Sequence, residues 1–283
     1  MQAAELFIVA TPIGNLGDFT QRAIDTLKSV DLVAAEDTRH SRTLLVSHGI
    51  DKPMVALHEH NEENMAPKLV ERLLGGESIA LISDAGTPLL SDPGFRLVRL
   101  AIEHQVRIVP LPGPSSIVTA LSVAGIATDR FVFEGFLPAR QPARIARLNE
   151  LSTESRTLVF FESSHRIKDS LADLGQVLGP DRQLAVCREL TKQFETILRG
   201  SIEQVRAAVE ADNNQQKGEF VLVVAGSSKN LEQNMANALN MSRELQEYLS
   251  ASQSARVAAK LCGVSRRDLY EMMESGEQGN ATD

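Results

Sequence analysis

The sequence predicts an α/β protein in two parts, a parallel-sheet N-terminal domain and a second α/β domain with a mixed sheet, followed by a small helical C-terminal tail. Three observations carry this expectation. Between residues 6 and 125, short apolar runs alternate with helical patterns, the mark of repeated βαβ units whose parallel sheet is covered on both faces. The segment GIATDR at 125–130 breaks the alternation, and a second set of elements begins with FVFEGFLP. Around RELTKQFETILRG two strand patterns follow one another with no helix between them, which requires a hairpin and so a mixed sheet.

In the first domain, strands are expected at 6–10, 31–35, 54–57, 79–83 and 106–111, and helices at 20–30, 64–74, 95–103 and 115–123. Each strand runs directly into a polar or Gly/Pro-rich cluster: TPIGNLGD, EDTR, HEHNEE, SDAGTP and PGPSS. Ligands of an open parallel sheet bind beyond the carboxyl ends of its strands. All five clusters are therefore expected along one edge, and that edge is the expected active site. In the second domain, strands are expected at 131–134, 157–161, 183–187, 195–198 and 220–224, with helices at 143–151, 167–178 and 202–209. After the apolar strand FVLVVAG comes SSKNLEQNMAN, polar and poor in β-branched residues, which reads as a linker. The expected organisation is an N-terminal domain over 1–126, a second domain over 127–226, a linker over 227–240 and the tail over 241–283.

At 283 residues, 43% hydrophobic and 23% charged, the chain has an ordinary globular composition and length enough for two cores. Cys187 and Cys262 show no metal-type spacing, so a reduced cytosolic protein without disulfides is expected. No stretch approaches the ~18 apolar residues of a membrane span, and an acidic residue stands where a signal peptide would be basic. A soluble, cytoplasmic protein without membrane contact follows. The formal charge of −8 argues against indiscriminate coating of nucleic acid, though a local basic patch can still grip a phosphate backbone.

In TPIGNLGD, Gly14 and Gly17 lie between a strand and a helix, and Glu36 follows about twenty residues on, where a ribose-binding acid would stand in a dinucleotide fold. The G-x-G opening of that fingerprint is missing, and a structural turn explains the glycines as well. In SDAGTPLLSDPG, Asp84 follows a strong strand, Gly86 permits an unusual backbone, and Thr87 and Pro88 fix the exit; twelve residues exceed what a turn needs, so a ligand loop is favoured. Ser115 and Ser116 in PGPSS open a helix, where free amides attract a carboxylate or phosphate, although plain N-capping fits equally. His58 and His60 could share one side of a strand end. Their spacing provides no third metal ligand, so no metal is expected. In EDTRHSR a charged helix start is the simple reading of Asp37 and Arg39, while Arg39 at the crevice could pair with phosphate.

In the second domain, EGFLPAR, ESSHR and RELTK follow strands and supply Arg140, Arg144, Arg147, His165, Arg166, Arg188 and Lys192. Each alone reads as a solvated cation; together they would set positive charge opposite the first edge, as a polyanionic substrate requires. In the tail, Ala259, Gly263, Val264 and Leu269 stand at helix-turn-helix offsets, with Lys260, Arg266 and Arg267 available to nucleic acid. A helical hairpin packed on the body is the competing reading.

The blocks VATPIGNLGDFTQRA, AAEDTRHS, LISDAGTPLLSDPG, PLPGPSS, FEGFLP, ESSHR and CRELTKQFE, in this order and spacing, resemble the tetrapyrrole-methylase-like (class III) S-adenosylmethionine methyltransferases, and among them the bacterial enzymes of small-subunit ribosomal RNA. The resemblance covers residues 6–226 and extends to the tail. It implies two α/β domains of the tetrapyrrole-methylase type, S-adenosylmethionine held between them, a homodimer, and 2′-O-methylation of a cytidine ribose in the decoding region of 16S rRNA, with rRNA or the small ribosomal subunit as partner. Matched by motif, the donor site would use Pro12 and Ile13, then Ser83, Asp84, Gly86 and Thr87, and Ser115 and Ser116. From the second domain it would take Phe161, Cys187, Gly218 and Glu219. The wider family often carries a Gly-Pro-Gly-Asp first loop where this chain has TPIGNLGD, which puts a porphyrinoid substrate in doubt.

Methyl transfer to a ribose hydroxyl needs alignment first and a proton acceptor or nearby cation second. Asp37, Arg39, His58, His60, Glu162, Arg188 and Glu189 are the candidates for that step, and Glu36, Glu134 and His165 also lie at strand ends. RNA contact is expected from Arg140, Arg166, Lys192, Lys260, Arg266 and Arg267. Two further functions stay open at this point, a class III methylase of a small molecule and a nicotinamide-dependent oxidoreductase.

Overall fold

The computed structural model describes residues 4–227 and 229–278. Its first half runs β1 (Glu5–Val9), α1 (Gln21–Ser29), β2 (Leu32–Ala35), α2 (Thr38–Ser47), β3 (Met54–Ala56), α3 (Glu62–Leu74), β4 (Ile79–Ile82), α4 (Phe95–Glu103), β5 (Arg107–Leu111) and α5 (Ser116–Ala124). The five strands pair in parallel in the order β3-β2-β4-β1-β5. All five carboxyl ends therefore share one edge. The order differs from the 3-2-1-4-5 arrangement of a dinucleotide fold. The central strands, LVAA in β2 and IALI in β4, are buried at every residue because helices cover both faces. On one face Leu69, Leu73 and Leu97 of α3 and α4 pack with Leu6 and Leu81; on the other, Ala23, Leu27 and Leu45 of α1 and α2 pack with Val9, Val33 and Ile82.

The second half contains β6 (Phe131–Phe136), α6 (Gln141–Leu151), β7 (Thr157–Ser163), α7 (Ile167–Leu178), β8 (Gln183–Arg188), β9 (Thr196–Ser201), α8 (Ile202–Ala211) and β10 (Glu219–Val224). The sheet order is β6-β7-β10-β8-β9. β6 and β7 are parallel, β10 is antiparallel to both β7 and β8, and β8–β9 form the expected hairpin. One face of this sheet packs on α6, α7 and α8 through Leu148, Leu171 and Val205. The other packs on α5 of the first half, where Ile117, Ala120 and Ala124 meet Val159, Cys187 and Val223. Helix α5 is thus the joint between the sheets.

Where the sequence reads a linker over 227–240, residues Lys229–Leu245 form the helix α9. The segment is polar but contains no Gly or Pro, and its helix formers place Met235, Ala238 and Leu239 on one face. That face packs on α10 (Ala251–Cys262) and α11 (Arg266–Gln278), where Ala255, Ala258, Ala259 and Leu269 are buried. The turn between α10 and α11 is made by Gly263, left-handed at φ +66°, a conformation in which a Cβ is disfavoured.

The pair Arg144–Asp173 also departs from expectation. Arg144 is not an exposed cation: at 3% exposure it donates to Asp173, itself 2% exposed, at 2.6 Å, and to the carbonyls of Pro138 and Ala139. A guanidinium left buried without its carboxylate costs about 3–5 kcal/mol. Asp173→Ala is expected to lower unfolding free energy by that amount in urea titrations, while replacing both partners by apolar residues recovers most of the loss.

Candidate functional site: a cavity where the two strand edges meet

The site begins with the loops after the adjacent strands β1 and β4. Thr11 and Gly86 exchange backbone hydrogen bonds in both directions, at 2.9 and 3.0 Å. The Thr11 hydroxyl donates to the Ser83 carbonyl at 3.2 Å, and the Ser83 hydroxyl to the Gly86 carbonyl at 3.3 Å. Gly86 is left-handed at φ +85°, and a Cβ there would stand 3.4 Å from Ile13 Cγ2. The Thr87 hydroxyl reaches across to the Pro114 carbonyl at 3.1 Å. Three loops are thereby fixed to one another ahead of the N-terminus of α5.

The second sheet presents the matching edge. The carboxyl ends of β6, β7 and β8 and the amino end of antiparallel β10 lie together, since Glu219 pairs with Ser163 and Phe220 with Arg188. Between the two edges lies a cavity of about 560 Å³, within the ~300–1,000 Å³ of small-molecule sites. Ile13, Asp84 and Ser116 line it from the first half, and Phe161, Cys187, Gly218 and Glu219 from the second. A neighbouring cavity of about 310 Å³ shares Ile13, Asp84 and Glu219 and extends over Pro12, His40 and Lys192. Gly86, Thr87 and Ser115 border a small recess of about 60 Å³ beside them. Ser83 is buried behind the loop, where it braces the backbone.

Several residues considered for the chemistry stand elsewhere or are already engaged. Asp37 caps α2 and holds Arg39 at 3.0 Å; neither lines the cavities, and Arg39 is 91% exposed. Hydrogen bonds from the Arg39 side chain and backbone hold the Asp37 carboxyl down at about 2. Arg188 is buried and donates to the carbonyls of Lys217 and Phe194, so it ties loops together. Glu162 does line the cavity, but Ser170, the Ser163 amide and Arg166 occupy its carboxylate. Burial alone would raise the Glu189 carboxyl; the Lys192 ammonium and the Glu219 amide more than offset this and hold it below its usual range. His58 and His60 contact each other edge-on, 6.1 Å between ring centres, outside the cavities. His58 Nδ1 is buried without a hydrogen-bond partner among the described residues.

The expected basic wall is largely self-neutralised. Arg147 pairs with Glu134 and Glu150, and Lys192 with Glu189 and Glu219. Arg166 pairs with Glu162 while its guanidinium lies 5.9 Å from the centre of the Phe136 ring. Arg140 is exposed at the N-cap of α6 and His165 is exposed on the next loop.

The other wall is acidic. Glu36, Asp84 and Asp92 all line the larger cavity. Asp84 accepts the Asp37 amide at 3.1 Å. Burial, then the charge of Asp84, raises the Glu36 carboxyl, and burial, then the charges of Glu36 and Asp84, pushes Asp92 up to about 6 against a Ser83 hydrogen bond that lowers it. Asp92, Ser91, Phe136 and Leu190 were not singled out from sequence. Asp92 and Ser91 do belong to the quoted SDAGTPLLSDPG loop, but their aim depends on left-handed Leu89 (φ +75°) and Ser91 (φ +69°), which no residue type announces. Phe136 and Phe161 contact edge-on at 5.5 Å, giving an aromatic wall. The cavity as a whole suits a cation that also carries a flat ring and a carboxylate: acid on one side, aromatics on the other, and the open amides of α5 between. Among the described residues no group of three or more His, Cys, Asp or Glu side chains is placed to hold a metal ion, and no helix is long and apolar enough to cross a membrane.

Cys187 lines the cavity with its thiol buried, and that burial pushes it up to about 11. Only the thiolate reacts, and it is scarce until the pH rises through that value. Alkylation at about pH 8, mapped by peptide mass spectrometry, is therefore expected to label the less buried Cys262 first and Cys187 only on unfolding.

The comparison with known proteins agrees with this geometry. Residues 5–206 match the family model described as Tetrapyrrole (Corrin/Porphyrin) Methylases, and residues 233–274 match one described as the RsmI C-terminal HTH domain. A Haemophilus influenzae protein named ribosomal RNA small subunit methyltransferase I is 51% identical over 268 residues, 94% of this chain and 95% of that one. Proteins of the same name from Xylella fastidiosa and Escherichia coli O157:H7 are each 49% identical, covering 94% of this chain and 97% and 93% of theirs. Among solved structures, a cobalt precorrin-4 methyltransferase superposes with a TM-score of 0.57 at 18% identity over 78% of this chain and 94% of its own. A diphthine synthase does so with a TM-score of 0.59 at 14% identity over 78% and 90%. These two show the shared fold. The chain belongs to the ribosomal RNA small subunit methyltransferase I group of the tetrapyrrole methylase family, methyltransferases that depend on S-adenosylmethionine.

Proposed function

We propose that the protein methylates the 2′-hydroxyl of a cytidine ribose in the decoding region of 16S rRNA, acting as a homodimer whose helical tail adds to the grip on RNA. The observation that carries this reading is the likeness to relatives named for small-subunit ribosomal RNA, which runs the length of the chain and includes the tail. The departure of TPIGNLGD from the Gly-Pro-Gly-Asp loop argues against a porphyrinoid substrate.

S-adenosylmethionine supplies an activated methyl group on a positively charged sulfur. Phe161 and Phe136 would face its flat base, and Ile13, Cys187 and Leu190 its apolar parts. Asp84 would meet the ammonium, and the free amides at Ser115 and Ser116 the carboxylate. Lys192 lines the neighbouring cavity, Arg166 pairs with Glu162 in the wall of the larger one, and Arg140 is exposed at the start of α6. In the tail, Lys260, Arg266 and Arg267 are exposed around the α10–α11 turn; Arg266 donates to Ser252, and Arg267 pairs with Glu271 across an exposed surface. Exposed pairs of this kind are worth ~0–1 kcal/mol, so a phosphate can displace them.

Labelled-methyl transfer with assembled small subunits, naked rRNA and no RNA is the direct assay; incorporation without RNA would favour a small-molecule substrate. Asp84→Ala is expected to weaken calorimetric binding of S-adenosylmethionine by about tenfold or more, the scale of one charge-assisted hydrogen bond. Truncation after Gly226 is expected to leave a dimer in light scattering whose RNA affinity is lower and less dependent on salt. A truncated protein with undiminished RNA affinity would reduce the tail to a structural element.

A further inference from the structure

The proton of the methylated hydroxyl needs an acceptor, and the side chains around the cavity narrow the choice. Glu162 is held by Arg166, and Glu219 by Lys192. Glu189 is held by Lys192, Glu134 by Arg147, and Asp37 by Arg39 outside the cavity. Glu36, Asp84 and Asp92 line the cavity and take part in no ion pair among the described residues. Asp84 is engaged by the Asp37 amide, and Glu36 by the Asp84 amide. The Ser83 hydroxyl beside Asp92 lowers its proton affinity but donates to the Gly86 carbonyl, so among the described residues no cation or committed donor fills the Asp92 carboxylate.

The position of Asp92 is also the best suited of the three. Ser91 beside it touches the second half, since a Cβ on Gly135 would stand 3.2 Å from Ser91 Oγ. Asp92 therefore sits at the seam where the loop after β4 meets β6, with Phe136 and Phe161 on the same cavity. Left-handed backbone at Leu89 and Ser91 holds it there; non-glycine residues rarely adopt that conformation unless the surroundings impose it. We propose that Asp92 accepts the proton of the hydroxyl group that is methylated, with Glu36 as the positioning residue beside it.

This role rests on the reaction proposed above. The hydroxyl oxygen forms its bond to the methyl carbon, the carbon–sulfur bond breaks with its electron pair kept by sulfur as a neutral thioether, and the hydroxyl proton passes to the Asp92 carboxylate. The groups facing Asp92 are Glu36 after β2 and Asp84 after β4, both acidic, with His58 after β3 close enough to moderate Glu36. Burial and these like charges push Asp92 up to about 6. A base must be deprotonated to act, so activity rises with pH through that value and then levels.

The test has two arms. In the first, single-turnover methyl transfer to small ribosomal subunits is followed against pH for the unaltered protein, Asp92→Asn and Glu36→Gln, beside calorimetric binding of S-adenosylmethionine. Asp92→Asn is expected to slow transfer by about 10²–10⁴-fold, far beyond the modest loss of donor affinity that removing one charge of the acidic wall brings, with the acidic limb gone. Glu36→Gln removes a neighbouring charge and moves that limb to lower pH. In the second arm, carbon-13 resonances of the aspartate carboxyls in the ligand-free, unaltered protein give the Asp92 titration directly, expected near 6 and lower in Glu36→Gln. Transfer by Asp92→Asn at the unaltered rate, or loss of donor affinity in step with rate, overturns the role, as does an Asp92 that titrates in the ordinary aspartate range. If the unaltered protein modifies no rRNA, the proposed substrate fails and this role with it, an outcome set apart because it precedes any substitution.

Discussion

The backbone exchange between Thr11 and Gly86 is the constraint on which the site depends. A parallel sheet delivers its loops to one edge but does not fix them there. Here two long loops from adjacent strands are locked by paired N–H to carbonyl bonds, with the Thr11 and Ser83 hydroxyls completing the polar groups that the turn buries. A buried backbone group left unpaired costs as much as the bond it lacks, so the arrangement leaves one low-energy course for each loop. Left-handed Gly86 permits the close approach to Ile13. From that fixed turn the chain places Asp84 on one side and the loop carrying Ser91 and Asp92 on the other.

Electrostatic asymmetry follows from how the two halves use their charges. The second half pairs three of its arginines internally: Arg144 with Asp173, Arg147 with Glu134, Arg166 with Glu162. The first half leaves Glu36, Asp84 and Asp92 facing the cavity with no ion pair among the described residues. The charge of Asp84 raises the proton affinity of Glu36, and the charges of Glu36 and Asp84 raise that of Asp92, and the same field attracts a cation. A sulfonium donor and a proton acceptor thus draw on one local potential.

Much of this was legible in the sequence because the fold obeys local rules. The alternation of strand and helix patterns placed the strands, and parallel topology turned five separate clusters into one edge. The hairpin after Arg188 followed from the missing helix. The failures have physical causes. α9 was misread because its apolar face, Met235, Ala238 and Leu239, is narrow and makes sense only against α10 and α11. Arg188 and Glu189 looked like site residues because they follow a strand in a charged run; only the three-dimensional structure shows that their charges are spent on loop carbonyls and Lys192. Asp92 was hidden in a loop whose aim depends on left-handed non-glycine residues.

An acidic cavity and a polyanionic substrate place opposite demands on one protein. Phosphates brought against Glu36, Asp84 and Asp92 would be repelled, and like-charge juxtaposition costs several kcal/mol. The conflict is relieved if the RNA backbone stays outside, against Arg140, Lys192 and the cations of the tail, while a single neutral nucleoside enters. A ribose hydroxyl and its base carry no charge, so only the flanking phosphates would feel the field. On this view the acidic wall adds selectivity: it welcomes the cationic donor and admits the acceptor only as far as its neutral part.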